Sequence, residues 1–509
     1  MTFFRSDSAR GASLLLAVVF LTGGCLLVME VLATRMLSPY FGNTMYTFSS
    51  VIGVVLASLS VGYAIGGRFA DRNPDVAIFY RIILLGGACI VMLAGINRAL
   101  LPVFAYMLPA RSGPLVLSLI LFSVPSFLLG MLSPYVIALR QKIAQQGVGT
   151  NAGSVFFWST LGSITGSLLA GFVLVPHFGI TITLVGTAIV LLVIGVVGPF
   201  LHGSGAKTMR MAIPLIIGAG AIGAGLIANP VEVQGLVYET EGVYQNIRVV
   251  DTLRYDRPIR ILYQDRNASS GMFPDDEELA FEYSKFFRLA PQVSGDPKEV
   301  LVLGAGAFTL PKVMLQEWKN ATVDVVEIEP GLERIAQEYF GLEPSPRMHT
   351  YIVDGRRFLH DTEKQYDVIF GDAYSSHHAM PPHLTTKEFF SLVSERLTDD
   401  GVFVVNFIGS LEDRSPSLLL SGLRTLSDVF PHTRIFAAHD PTYLGTQNVV
   451  FISTKSAEGI ARLCDGSVWD ASTRKLCENE IPLSQFDLTE HAAFTDDFAP
   501  LEYLATFDQ

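Results

Sequence analysis

A chain of 509 residues is too long for a single hydrophobic core, and a composition 50% hydrophobic and 17% charged excludes a disordered polymer. Its charge is divided unevenly. Residues 1–229 carry 12 Lys and Arg against 4 Asp and Glu, a net of +8, whereas residues 230–509 carry 24 against 44, a net of −20. The acidic second half lacks the basic face that a phosphate backbone requires, so nucleic acid is not expected as a partner, while a small cationic substrate fits that charge.

Residues 1–229 read as a multispan transmembrane domain. Apolar runs of spanning length lie near 12–34, 46–66, 78–97, 115–138, 152–175, 180–201 and 211–228, about seven in all. The first run alone would pass for a signal peptide; six further runs make it an anchor, in a multi-pass protein of the cell's inner (plasma) membrane with the lipid bilayer as its partner. Small residues recur every fourth position at Gly62/Gly66, Gly162/Gly166, Ser163/Ser167 and Ser167/Gly171. Such stripes let helices approach closely in lipid, and would also suit a homodimer. Glu30 and Arg35 stand near the end of the first run, as an ion pair or a functional pair. Positive residues cluster at Arg5/Arg10, Arg68/Arg72/Arg81, Arg140/Lys142 and Lys207/Arg210, on alternate connections, which favours an N-terminus inside. Seven spans would then carry the second half outside. A domain using a cytosolic nucleotide belongs inside, so an even count is expected, with 99–109 as a re-entrant or interfacial piece or with one of the seven runs not spanning.

Residues 230–295 read as a small β-rich module, with strands at 243–250 and 259–263 around a turn at Asp256-Arg257-Pro258. Helical spacing follows at 277–289. Residues 296–509 then alternate: strand 300–303, helix 310–318, strand 323–328, helix 332–340, strand 349–353, strand 366–370, helix 386–396, strand 402–407. Alternation of this kind implies an α/β fold with a mostly parallel sheet and right-handed crossovers, whose ligands sit beyond the strand carboxyl ends. Gly304, Glu327, Asp354 and Asp372 all fall at such ends. The run Val300-Leu301-Val302-Leu303-Gly304-Ala305-Gly306, followed about twenty positions later by Glu327, is the pattern by which such a sheet meets an adenosine nucleotide: glycines admit the ligand and a carboxylate takes the ribose hydroxyls. Segments 434–438 and 449–454 suggest a closing antiparallel pair, and 456–490 is polar and irregular. Cys25 and Cys89 lie in apolar runs. Cys464 and Cys477 are expected as free thiols; an oxidising compartment would pair them, against a cytosolic placement.

The soluble half resembles the spermidine synthase (polyamine aminopropyltransferase) family, in its membrane-fused multispan group. The matching pieces are Tyr244-Gln245-Asn246-Ile247, Gly304-Ala305-Gly306, Val326-Glu327-Ile328-Glu329, Asp354-Gly355, Tyr366-Asp367-Val368-Ile369-Phe370-Gly371-Asp372, Leu384-Thr385-Thr386-Lys387-Glu388-Phe389-Phe390 and the ending Thr495-Asp496-Asp497-Phe498-Ala499-Pro500-Leu501-Glu502. The resemblance implies a class I methyltransferase-like (Rossmann-like) fold and a transferase of polyamine biosynthesis. It implies S-adenosylmethionine or its decarboxylated form as co-substrate, no metal, and methylthioadenosine as product. Glu327 would hold the ribose and Asp354 the adenine amino group. Gln245, Gly304, Gly306 and Gly355 would surround the nucleoside, and Asp372 would be the catalytic carboxylate. Tyr244, Arg266, Asp276 and Tyr374 would lie on the substrate side.

The chain also departs from the family pattern. The turn reads Gly304-Ala305-Gly306-Ala307-Phe308 without its acidic residue. Ser375 replaces a second aspartate three positions after Asp372, and the acidic loop is blurred into 275–283. The lost acids are those that would grip a cationic amine, so the acceptor is putrescine or something less usual, including a cyclisation of the donor. Arg266 suggests a donor that keeps its carboxylate. His377, His378 and His383 follow Asp372 without a metal-ligand spacing, and His378 or His383 is expected near the acceptor. Two other readings stay open: a methyltransferase releasing S-adenosylhomocysteine, and a sensor or transporter that binds a nucleoside or polyamine without turnover.

Overall fold

The computed structural model describes residues 2–109, 111–144, 147–202, scattered positions from 213 to 225, 233–374, 380–412, 416–466 and 470–505. The chain divides into two compact units, Met1–Val233 and Gln234–Gln509.

The first unit is helical. Five helices are long and apolar enough to cross a membrane: Gly11–Phe41, Met45–Arg72, Val76–Asn97, Gly113–Lys142 and Val148–Leu201. The last runs for 54 residues, far beyond one bilayer. At Gly179 (φ 71°, ψ −176°) the backbone leaves the helical region, so the runs at 152–175 and 180–201 are two helices joined there. The run expected at 211–228 lies largely outside the described residues. Residues 99–109 form short helical turns, Leu101–Phe104 and Ala105–Met107. The helix beginning at Met45 is capped by Thr44, whose hydroxyl accepts from Thr47 N at 3.2 Å, and the next by Asp75, which accepts from Ala77 N at 2.8 Å.

The Gly62/Gly66 and Gly162/Gly166 pairs are used inside this unit. A Cβ on Gly66 would stand 2.6 Å from Met131 Cα, and one on Gly62 2.5 Å from the Phe127 carbonyl. Gly162 and Gly166 meet the backbones of Phe20 and Gly24 in the same way. Close helix packing within one chain explains Gly62, Gly66, Gly162 and Gly166.

The second unit begins with an antiparallel meander: β1 (Leu236–Glu241), β2 (Asn246–Arg254), β3 (Arg257–Gln264), β4 (Asn267–Phe273) and β5 (Asp276–Leu279). Arg254 pairs with Arg257, so the β2–β3 turn is Tyr255-Asp256, both at positive φ, one position earlier than the proline suggested. The helix expected over 277–289 forms only in part. Leu279 pairs with Met272 as strand, and 3-10 turns follow over Glu282–Leu289. Its apolar spacing fits both outcomes, and sheet pairing takes the first residues.

An eight-stranded sheet follows: β6 (Glu299–Leu303), β7 (Thr322–Glu327), β8 (Met348–Ile352), β9 (Tyr366–Gly371), β10 (Leu397–Ser410), β11 (His432–Ala437), β12 (Thr446–Thr454) and β13 (Glu480–Ile481). Its order is β13-β11-β12-β10-β9-β6-β7-β8, with β8 to β10 parallel and β12, β11 and β13 antiparallel. The first seven strands read 3-2-1-4-5-7-6, the order of the methyltransferase-like Rossmann fold. Successive strand residues feed opposite cores: Val300, Val302, Val323 and Val325 enter one, Leu301, Leu303, Ile369 and Phe403 the other. Direction of crossover reverses between β6 and β9, which opens a crevice at their carboxyl ends.

The segment left irregular by the sequence contains helices Ala457–Arg462 and Ala471–Cys477 and the edge strand β13. It corrects the expectation of free thiols: Cys464 and Cys477 are disulfide-bonded, their Cα atoms 5.7 Å apart. Cys464 N is also held by Gln292 Oε1 at 2.7 Å, which fixes that end of the bridge.

Candidate active site

The rim is built from four strand ends. After β6, Gly304 has φ 87°, and a Cβ there would stand 2.5 Å from the Asp372 carbonyl. Gly306 has φ 52° and lies against Ser270, whose hydroxyl accepts from Ala307 N at 3.0 Å. Glycine is required at both positions for conformation and for space. Asp372 N donates to Leu303 O at 2.9 Å, which locks the ends of β6 and β9 together.

Glu327 closes β7. Its Oε2 accepts from Ala305 N at 2.9 Å, and its Oε1 accepts from Ile328 N at 2.8 Å and Glu329 N at 3.0 Å. Burial pushes this carboxyl up, with the backbone N–H groups opposing. Glu329 is buried too and accepts from Val243 N at 3.0 Å and Tyr244 N at 2.8 Å. It therefore ties the turn before β2 to the rim. Gln245, next along, accepts from Gln264 Nε2 at 2.7 Å, and Arg266 follows two residues later on the β3–β4 turn. After β8, Asp354 caps the helix Gly355–Asp361 by accepting from Arg357 N at 3.0 Å, and its other oxygen meets His383 Nε2 at 2.8 Å. The bond to His383 holds this carboxyl below the usual range. His383, expected near the acceptor, is engaged with Asp354.

Asp372, after β9, is half-buried and has two neutral donors. Tyr283 Oη donates to Oδ2 at 2.8 Å and Asn406 Nδ2 donates to Oδ1 at 3.0 Å. Loss of water around the carboxyl pushes it up to about 6, while the two hydrogen bonds act in the opposite direction. Tyr374 Oη donates to Asn406 O at 2.9 Å, and burial raises both tyrosine hydroxyls well above their ordinary range. A carboxylate of this kind, ionised near neutrality and paired with no cation among the described residues, can accept a proton from an amine.

Asp276 is not part of this group. It pairs with Arg257 at 3.3 Å and lines a separate cleft of about 320 Å³ with Asp275, Lys312 and Phe340. Ser375, His377 and His378 lie outside the described residues. Among the described residues no group of three His, Cys, Asp or Glu gathers as a metal site. Tyr283, Asn406 and Glu329 join the site without a role expected from the sequence. A signal existed for Asn406: one amide inside the apolar run Val404-Val405-Asn406-Phe407.

Fold and rim together define a Rossmann-like α/β unit with a carboxylate, held by two neutral donors, at its switch point. Residues 282–462 match the family described as Spermine/spermidine synthase domain. The polyamine aminopropyltransferase of Streptococcus pneumoniae is 30% identical over 212 residues, 40% of this chain and 71% of that protein. Polyamine aminopropyltransferase 1 of Streptomyces coelicolor is 24% identical over 422 residues, 78% of this chain and 76% of that protein, a match that extends into the helical unit. The structure is also similar to a probable spermidine synthase from Corynebacterium glutamicum (TM-score 0.38, 22% identity, 49% of this chain and 95% of that one). The chain belongs to the spermidine synthase family of aminopropyltransferases, a family of transferase enzymes.

Proposed function

We propose that this chain is an integral membrane transferase. It takes S-adenosylmethionine or decarboxylated S-adenosylmethionine, moves the aminopropyl or aminocarboxypropyl group to an amine, and releases methylthioadenosine. The observation that carries the reading is Asp372, held by neutral donors against the backbone of Gly304. Glu327 would take the ribose hydroxyls, Asp354 the adenine amino group, and Gln245, Gly304, Gly306 and Gly355 the rest of the nucleoside. Tyr244 and Tyr374 would border the substrate.

The step is a displacement. The acceptor nitrogen attacks the carbon next to the sulfonium, the C–S bond breaks with its electrons going to sulfur, and methylthioadenosine leaves. The proton released by the new C–N bond passes to Asp372. The chain orients the nitrogen in line with the breaking bond and removes its proton, while the sulfonium is already a good leaving group. Putrescine is the acceptor that the family suggests; a donor retaining its carboxylate would meet Arg266.

Five long apolar helices support membrane insertion. The disulfide speaks against the cytosolic placement expected from donor supply, because such bonds persist in oxidising compartments. Seven runs with positive residues on alternate connections agree with it, and together they support a soluble unit on the outer face. That face must then supply the donor.

Product analysis tests the reaction. The purified full chain is incubated with either donor, with and without putrescine, and the nucleoside product is identified by mass spectrometry. Methylthioadenosine supports the transfer. S-adenosylhomocysteine moves the chain to the methyltransferases, and nucleoside binding without product leaves a sensor or transporter.

A further inference from the structure

We propose that Asn448 is a positioning residue for Asp372, fixing the Asn406 amide so that its N–H group, and not its carbonyl, faces the carboxylate. The proposal rests on the assignment of Asp372 as the proton acceptor. Asn448 sits on β12, opposite Ile408 of β10. Its side chain reaches diagonally to the same strand, and Asn448 Nδ2 donates to Asn406 Oδ1 at 3.0 Å. Asn406 Nδ2 then donates to Asp372 Oδ1 at 3.0 Å. An isolated asparagine amide can turn over and present either end. Here the ionised carboxylate can only accept, and Asn448 Nδ2 satisfies the Asn406 carbonyl at the other end, so the two contacts favour the same orientation of the Asn406 amide. Asn406 is buried at 1% exposure, where a reversed amide would set a carbonyl oxygen against a carboxylate without water to screen it.

Among the described residues, the titratable groups that face Asp372 are Tyr283, from the turns after β5, and Tyr374, just past β9. Neither carries charge near neutrality. Asn406 and Tyr283 are therefore the two groups that favour the ionised carboxylate, and Asn448 governs one of them from outside the site. It is suited to setting the pH at which Asp372 becomes a base, and it touches no reacting atom.

Two variants test this. Asn448→Asp keeps the shape but offers an acceptor, so the Asn406 N–H group turns to residue 448 and its carbonyl to Asp372. Asn448→Leu leaves Asn406 without an anchor and suits an apolar strand if the aspartate variant fails to fold. The Asp372 carboxyl is titrated in the substrate-free full chain by infrared difference spectroscopy against Asp372→Asn. The expected result is an upward shift of about one pH unit in Asn448→Leu and a larger one in Asn448→Asp, the size of a lost hydrogen bond to a charge. The acid limb of methylthioadenosine release shifts by the same amount. An unmoved carboxyl titration in both folded variants overturns the proposal. A shifted titration in a chain that makes no methylthioadenosine leaves the positioning role standing and removes the proposed reaction instead.

Discussion

Tyr283 Oη donates to Asp372 Oδ2 at 2.8 Å, a contact across 89 residues of chain that joins the turns after β5 to the end of β9. The small β-rich module and the α/β sheet thereby share one carboxylate. Tyr283→Phe removes a hydrogen bond to the charged form, so the Asp372 pKa rises further above its present value of about 6. Activity at neutral pH is expected to fall roughly tenfold, from a bond worth about 1.5–3 kcal/mol, with partial recovery at higher pH. A pH profile of methylthioadenosine release checks this; an unchanged profile contradicts it.

The pH dependence of the wild-type chain follows from the same group. Asp372 accepts a proton only when ionised, so the rate is expected to fall as pH drops through about 6. Stability has the opposite sign. A carboxyl whose folded pKa lies above its unfolded value binds more protons when folded, so stability declines as pH rises from the unfolded toward the folded pKa. Asp372→Asn is therefore expected to stabilise the chain above pH 6, by at most about 3 kcal/mol, while abolishing turnover. Thermal unfolding of both forms at pH 5 and pH 8 measures the difference; no stabilisation at pH 8 counts against a desolvated carboxylate.

Gly304→Ala puts a Cβ 2.5 Å from the Asp372 carbonyl at a φ of 87°. Backbone strain of about 1–3 kcal/mol is expected, together with a displaced rim. Methylthioadenosine affinity, measured by calorimetry, should fall at least tenfold, whereas Gly295→Ala, also at positive φ but with open space around it, should leave affinity unchanged.

The Cys464–Cys477 bond closes a 13-residue separation and is worth about 3 kcal/mol by chain entropy. Cys464→Ser with Cys477→Ser is expected to lower the melting temperature of the soluble unit. In intact cells both cysteines should resist maleimide until a reductant is added, and a membrane-impermeant reagent should then label them. Labelling without reductant, only after the membrane is opened, would place the soluble unit in the cytosol.

Much of the rim was readable because its chemistry is local. Gly304 follows an apolar strand, Glu327 ends the next, and each sits a fixed distance from its own secondary structure. The residues around Asp372 are different. Tyr283, Asn406 and Asn448 come from three elements, and only the antiparallel register of β12 on β10 brings Asn448 to Asn406. No spacing in the sequence encodes that register. Asp276, which the resemblance would set on the substrate side, is paired with Arg257 at the start of the short strand β5, a contact that sequence spacing does not announce. Pairing of Cys464 with Cys477 depends on the helix Ala471–Cys477 folding back on the core, which a polar segment does not announce.

The most direct test of the account is a single-turnover measurement of methylthioadenosine release by the purified full chain, wild type against Asp372→Asn, with each donor in turn. The account predicts release by the wild type and a loss of about 10²-fold or more in the variant, as expected for removal of a general base, with nucleoside affinity retained. Equal release by both forms, or release of S-adenosylhomocysteine in its place, would contradict it.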